Sequence, residues 1–87
     1  MTTDDLINRI DINPHILVGK PVIKGTRISV EQILGLLSGG MTPGDIIEEF
    51  PHLKDQDIRA AVYYATTLVK DFKVYPQEFF SRINTTK

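Results

Sequence analysis

Three apolar runs at helical spacing, cut at Gly39-Gly40 and at Pro51, constrain this chain more than any other feature. Val30, Ile33, Leu34 and Leu37 fall on one side of a first predicted helix. Ser29 precedes it as an N-cap, and Gln32 stands three residues later, as in a capping box. Gly39-Gly40 closes it, because glycine adopts the left-handed cap conformation without steric penalty. Thr42-Pro43-Gly44-Asp45 opens a second helix with a capping hydroxyl, a proline at the first helical position and an acid near the positive end of the dipole. Ile46, Ile47 and Phe50 form its apolar side, and Pro51 stops it. Asp55 and Asp57 suit the first turn of a third helix, although Lys54 before them is a poor cap. In that helix Ile58, Ala61, Val62, Ala65, Leu68 and Val69 keep core spacing down to about Lys70.

Before Ser29 the pattern is different. Arg9-Ile10-Asp11-Ile12 alternates polar and apolar, as a half-buried strand does. Ile16-Leu17-Val18 and Pro21-Val22-Ile23 are short apolar runs around Gly19-Lys20, and Lys24-Gly25-Thr26-Arg27 is a turn in which Gly25 can take positive φ. Residues 9–28 therefore read as a β-arm of two or three short strands, with Pro21, which lacks an N–H donor, on an edge. After Lys70, Pro76 is placed to open a short helix presenting Phe79, Phe80 and Ile83, and residues 84–87 are expected to lack order. The predicted fold is mainly α: a three- to four-helix, homeodomain-like helix-turn-helix bundle with a small N-terminal β-arm. It forms one domain over residues 1–87, with the arm at 9–28, a tri-helical core at 29–70 and a tail at 71–87.

A chain of 87 residues buries a thin core, only about 60% of the surface its unfolded form exposes, so a partner chain would help it. It has no cysteine with which to staple the fold, which suits a reducing compartment. There is no apolar run long enough to span a membrane, and Met1-Thr2-Thr3-Asp4-Asp5 is acidic where a secretion signal is basic. The expectation is a soluble cytoplasmic protein. The net charge of -1 and pI near 6.0 do not announce a nucleic-acid binder. The charge is nevertheless segregated along the chain: from Arg9 to Arg27 the cations are Arg9, Lys20, Lys24 and Arg27 and the only acid is Asp11, whereas residues 31–57 are mostly acidic.

Catalysis finds little support. Lys24-Gly25-Thr26 resembles a phosphate-binding loop only in composition, since the P-loop order and its βαβ setting are missing. His15 and His52 lie in separate turns without ligand spacing. Asp45, Glu48 and Glu49 read most simply as a solvated face. No enzyme activity, cofactor or metal is expected.

The third helix has more to offer. Opposite its core stripe lie Gln56, Arg59, Ala60, Tyr63, Thr67 and Lys70, with no acid among them. Gln and Arg read adenine and guanine edges, and Tyr, Thr and Lys hold phosphates. The same stripe is equally what a solvated helix shows, and its small residues would equally let another helix approach. Lys20, Lys24 and Arg27 are either edge-strand solvation or the electrostatic part of DNA binding.

The run INPHILVGKPVIKGTRISVEQIL, followed by GMTPGDIIEEFPHLKDQDIRAAVYYA, resembles the small prokaryotic proteins grouped as domain of unknown function four-three-three. The most specific pieces are Gly19-Lys20-Pro21-x-Ile23-x-Gly25-Thr26-Arg27, then Gly40-Met41-Thr42-Pro43 with Phe50-Pro51-x-Leu53 and Asp57-Ile58-Arg59-Ala60-Ala61. The resemblance covers roughly residues 10–65 and departs from the family at Lys54, where Thr or Ser is common. It implies a helix-turn-helix protein with a β-element, similar to VapB-type antitoxins of toxin–antitoxin pairs, which bind operator DNA and a PIN-like ribonuclease toxin. On this reading Gln56, Arg59 and Tyr63 contact bases, and Lys20, Lys24, Arg27 and Lys70 contact phosphates. Gly25 shapes the turn, and Ser29 and Thr42 cap helices. A homodimer is expected, through the arm edge or through Tyr64, Phe72 and Phe79. The competing expectation is an interaction and dimerisation module that does not bind DNA.

Overall fold

A computed structural model describes residues 2–70. The order is α1 (Thr3–Ile7), β1 (Ile10–Ile12), a 3-10 turn (Leu17–Gly19), β2 (Pro21–Ile23), α2 (Val30–Ser38), α3 (Pro43–Glu49) and α4 (Asp55–Lys70). The three helices read from the sequence are α2, α3 and α4. The helix α1 was not anticipated. It is started by a reciprocal cap in which the Asp5 N–H donates to Thr2 Oγ1 and the Thr2 N–H donates to Asp5 Oδ2, both at 3.2 Å.

The arm is a two-stranded antiparallel sheet pairing Ile10 with Ile23, Asp11 with Val22 and Ile12 with Pro21. A bridge from Val22 to Ser29 delivers the chain into α2. The turn between them is held by Thr26, whose hydroxyl donates to the Ile23 carbonyl at 2.8 Å and accepts from the Ile28 N–H at 3.0 Å. Gly25 sits there at φ 82° with open space where a Cβ would lie, so glycine is required for its conformation and not for room.

Ile16-Leu17-Val18 is not a strand. Leu17 and Val18 adopt φ of 49° and 55°, in the left-handed region that costs a branched side chain roughly 1–2 kcal/mol. Val18 is 95% exposed and recovers none of that cost through packing. Val18→Asn, which tolerates this conformation, is expected to raise stability by about 1 kcal/mol, read as a higher urea midpoint at unchanged slope.

Ser29 caps α2 by accepting from the Gln32 N–H at 2.9 Å. Thr42 and Asp45 form a full capping box on α3, and the bonds from Thr42 hold the Asp45 carboxyl below its ordinary pKa. The Lys54 side chain has no oxygen with which to accept from the first N–H groups of α4. Instead the Asp57 carboxylate reaches back and accepts from the Lys54 N–H at 2.9 Å, which starts α4 at Asp55.

The core draws on the arm, three helices and the turn between the last two: Ile23 from the arm, Val30 and Ile33 from α2, Ile46 from α3, Leu53 from the turn, and Ile58 and Ala61 from α4. Two expectations for α4 need correction. Val62, Leu68 and Val69, assigned to the core, are exposed. Ala60, assigned to the outward stripe, is completely buried, because α1 and β1 pack on α4 beside the face that meets α2.

Candidate nucleic-acid interface

Positions of the predicted contact residues follow from two bonds that join the arm to α4. The Lys24 N–H donates to the Arg9 carbonyl at 2.8 Å, and Arg9 Nη1 donates to Asp57 Oδ1 at 2.9 Å. The turn bearing Lys24 and Arg27 therefore lies at the same end of the molecule as the first turn of α4, which carries Gln56, with Arg59 at the start of the second turn. Lys24 and Arg27 are exposed and make no ion pair among the described residues.

The other predicted cations lie elsewhere. Lys20 follows the loop beside the Ile12–Pro21 end of the arm, and its Nζ donates to Glu31 Oε1 at 2.9 Å. Lys70 is at the far end of α4, about 16 Å along the axis from Arg59 at the usual helical rise. Lys20, Lys24, Arg27 and Lys70 are thus divided between two ends and do not form one strip.

On α4 the outward stripe is narrower than the sequence implies. Gln56, Tyr63 and Thr67 are half-buried, Ala60 is covered, and Arg59 is exposed. Arg59 Nε lies 3.4 Å from Asp55 Oδ2 one turn earlier, a solvated pair worth about 0.3–0.5 kcal/mol, which a phosphate or a base edge can outcompete. The two acids of this turn therefore differ in what they present. Asp57 is buried and satisfied by the Lys54 N–H and Arg9, while Asp55 remains at the surface. Arg9 and Thr26 were not singled out from the sequence as site-forming. Their signal was the polar position of Arg9 in an alternating strand and a hydroxyl inside a glycine turn.

Tyr64, expected at a dimer interface, packs half-buried against the core. Phe72 and Phe79, and the predicted tail helix, lie outside the described residues. Among the described residues, no helix is long and apolar enough to cross a membrane.

A family model described as a protein of unknown function (DUF433) matches residues 10–65, which hold the arm, α2, α3 and most of α4. The chain belongs to this family. A crystal structure of a DUF433 member from Anabaena variabilis superposes with a TM-score of 0.69 at 27% identity, covering 77% of this chain and 66% of that one. The uncharacterized protein y4eO of Sinorhizobium fredii is 35% identical over 65 residues. Those residues are 71% of this chain but 29% of y4eO, so the chain spans less than a third of that relative. The family match stops short of both α1 and the last turn of α4.

Proposed function

We propose that this protein is an antitoxin-like DNA-binding protein that contacts operator DNA and neutralises a PIN-like toxin, with α3, the turn at residues 50–54 and α4 as a homeodomain-like helix-turn-helix. The observation that supports the reading is the link from Lys24 through Arg9 to Asp57, which brings Lys24 and Arg27, exposed and without an ion pair among the described residues, to the end of the molecule where the second helix of that pair starts. Gln56, Arg59 and Tyr63 are the base-edge candidates, and Lys24 and Arg27 are the nearest phosphate contacts. Lys20 and Lys70, at the opposite end, would touch DNA only through a second copy or a bent duplex. The protein acts as a homodimer in the cytoplasm on this reading, in keeping with the two-fold logic of operators.

The test is a gel shift across a salt series, on the DNA upstream of the gene and on scrambled DNA of equal length. Preferential binding upstream that weakens steeply with salt is expected. Arg59→Ala should then cost about 1–3 kcal/mol of discrimination at one base pair, and Lys24→Ala should weaken all sequences alike. Equal, weak binding to both DNAs would reject the reading.

A second reading is an interaction module that holds a partner protein and binds no DNA. The exposed apolar side chains of Val62, Leu68 and Val69 on α4 favour it. A pull-down of the neighbouring gene product by a protein that gives no gel shift would select it.

A further inference from the structure

Leu17, Val18 and Gly19 form a run of three positive φ angles, 49°, 55° and 80°. The first two belong to apolar residues, which this conformation strains. Three backbone bonds hold the run in place. The Ile16 N–H donates to the Asn13 carbonyl at 2.9 Å, the Gly19 N–H to the Ile16 carbonyl at 3.1 Å, and the Lys20 N–H to the Leu17 carbonyl at 3.2 Å. The result is a hydrogen-bonded turn that displays Val18 almost wholly to water, with Leu17 next to it and Ile12 on the preceding strand also exposed. Strained backbone clusters at functional sites, and exposed apolar patches mark interaction surfaces.

The turn ends beside a shallow apolar groove lined by Pro21, Leu34, Ala65 and Leu68, with Glu31 on its rim. The bond from Lys20 Nζ to Glu31 Oε1 ties the exit of the turn to that rim. We propose that this face pairs with the same face of a second copy of the chain, Val18 of each entering the groove of the other. A two-fold contact needs one surface that carries both of its halves, so that each residue meets its counterpart twice. This face carries an apolar projection, an apolar recess and one charge of each sign between them. Lys20 and Glu31 keep 58% and 76% of their side chains in water, so their pair within one chain exchanges readily for the same pair across the two-fold. That charge complementarity selects a second copy over a foreign chain. The face is small, which makes the dimer a weak one, half-formed on the order of tens of micromolar. It lies at the Ile12–Pro21 end of the arm, so pairing leaves the turn with Lys24 and Arg27 open. The proposal gives an interface to the homodimer of the operator-binding reading and rests on that reading for its purpose, but its test contains no DNA.

Sedimentation velocity on the full chain, over a concentration series from micromolar to a few hundred micromolar, should show a monomer–dimer equilibrium. Val18→Asn removes the projection and relieves its strain. It should raise the half-dimer concentration about tenfold while raising the urea midpoint, so weaker pairing cannot be laid to a damaged fold. The charges supply the second readout. Lys20→Glu places two acids on each contact and Glu31→Lys two cations, so either variant alone should pair about fivefold more weakly. An equimolar mixture of the two should pair more tightly than either alone, because each chain then meets the opposite charge only on its partner. Glu48→Lys, on α3, which contributes no residue to the groove, should leave the equilibrium as it was. A chain that stays monomeric throughout, a dimer indifferent to Val18→Asn, or a mixture no tighter than its components would each overturn the proposal. None of these results decides the gel shift, so failure here is distinct from failure of operator binding.

Discussion

Asp57→Ala is expected to destabilise the domain by about 2–3 kcal/mol, more than a residue from an acidic helix start ordinarily contributes. Asp57 has two jobs at once. One carboxylate oxygen accepts from the Lys54 N–H and begins α4, and the other accepts from Arg9 and ties the arm to that helix. Losing the first bond costs about 1 kcal/mol as a missing cap. Losing the second leaves Arg9 without its partner, but Arg9 keeps 30% of its side chain in water, so the cost stays below that of a fully buried pair. Urea unfolding followed by far-UV circular dichroism measures the total. A double-mutant cycle with Arg9→Ala then isolates the pair, and a coupling near zero would show that the two side chains act separately. Asp57→Asn, which retains an oxygen acceptor for the cap, should lose less than Asp57→Ala.

Ile46→Ala should be the other severe change, at about 3 kcal/mol. The helix α3 is seven residues long, too short to persist alone, and Ile46 is its one buried residue, at 0% exposure. Its truncation removes the contacts that seat α3 between α2 and α4 and leaves a cavity the neighbours fill only partly. A loss of this size in a domain this small lowers the melting temperature by roughly 12–24 °C. Ile47→Ala, on a half-buried position of the same helix, is the control and should cost well under half as much. Equal effects at both positions would mean that α3 is not anchored through Ile46.

The helices α2 and α3 were legible because their ends are written in local chemistry. Ser29 and Thr42 cap, Gly40 takes φ 105°, and Pro43 opens a helix, each within a few residues of the feature it creates. The helix α1 was missed although Thr2 and Asp5 stand at capping spacing, because that acidic start was weighed only as charge. Ala60 was misplaced for a different reason: a helical wheel finds one apolar stripe, and alanine gives no signal when a second element covers the adjacent side. Val62, Leu68 and Val69 misled in the opposite sense. Their spacing is that of a core helix, but α4 has 16 residues and α2 has 9, about 24 Å against 14 Å, so the covering layer runs out before Leu68 and Val69. The candidate site was half legible. The cation types and the start of α4 could be read, but the division of Lys20 and Lys70 from Lys24, Arg27 and Arg59 depends on strand register, which no single segment encodes.

The placement of α1 bears on where this domain begins. The family signature opens at residue 10, yet Thr3–Ile7 lies on α4. A fragment cut to the signature would strip one wall from the helix that carries Gln56 and Arg59, and a bulky fusion at the amino end would crowd the same seam. The folding unit is wider than the stretch by which the family is recognised, and its first few residues belong to the packing around α4.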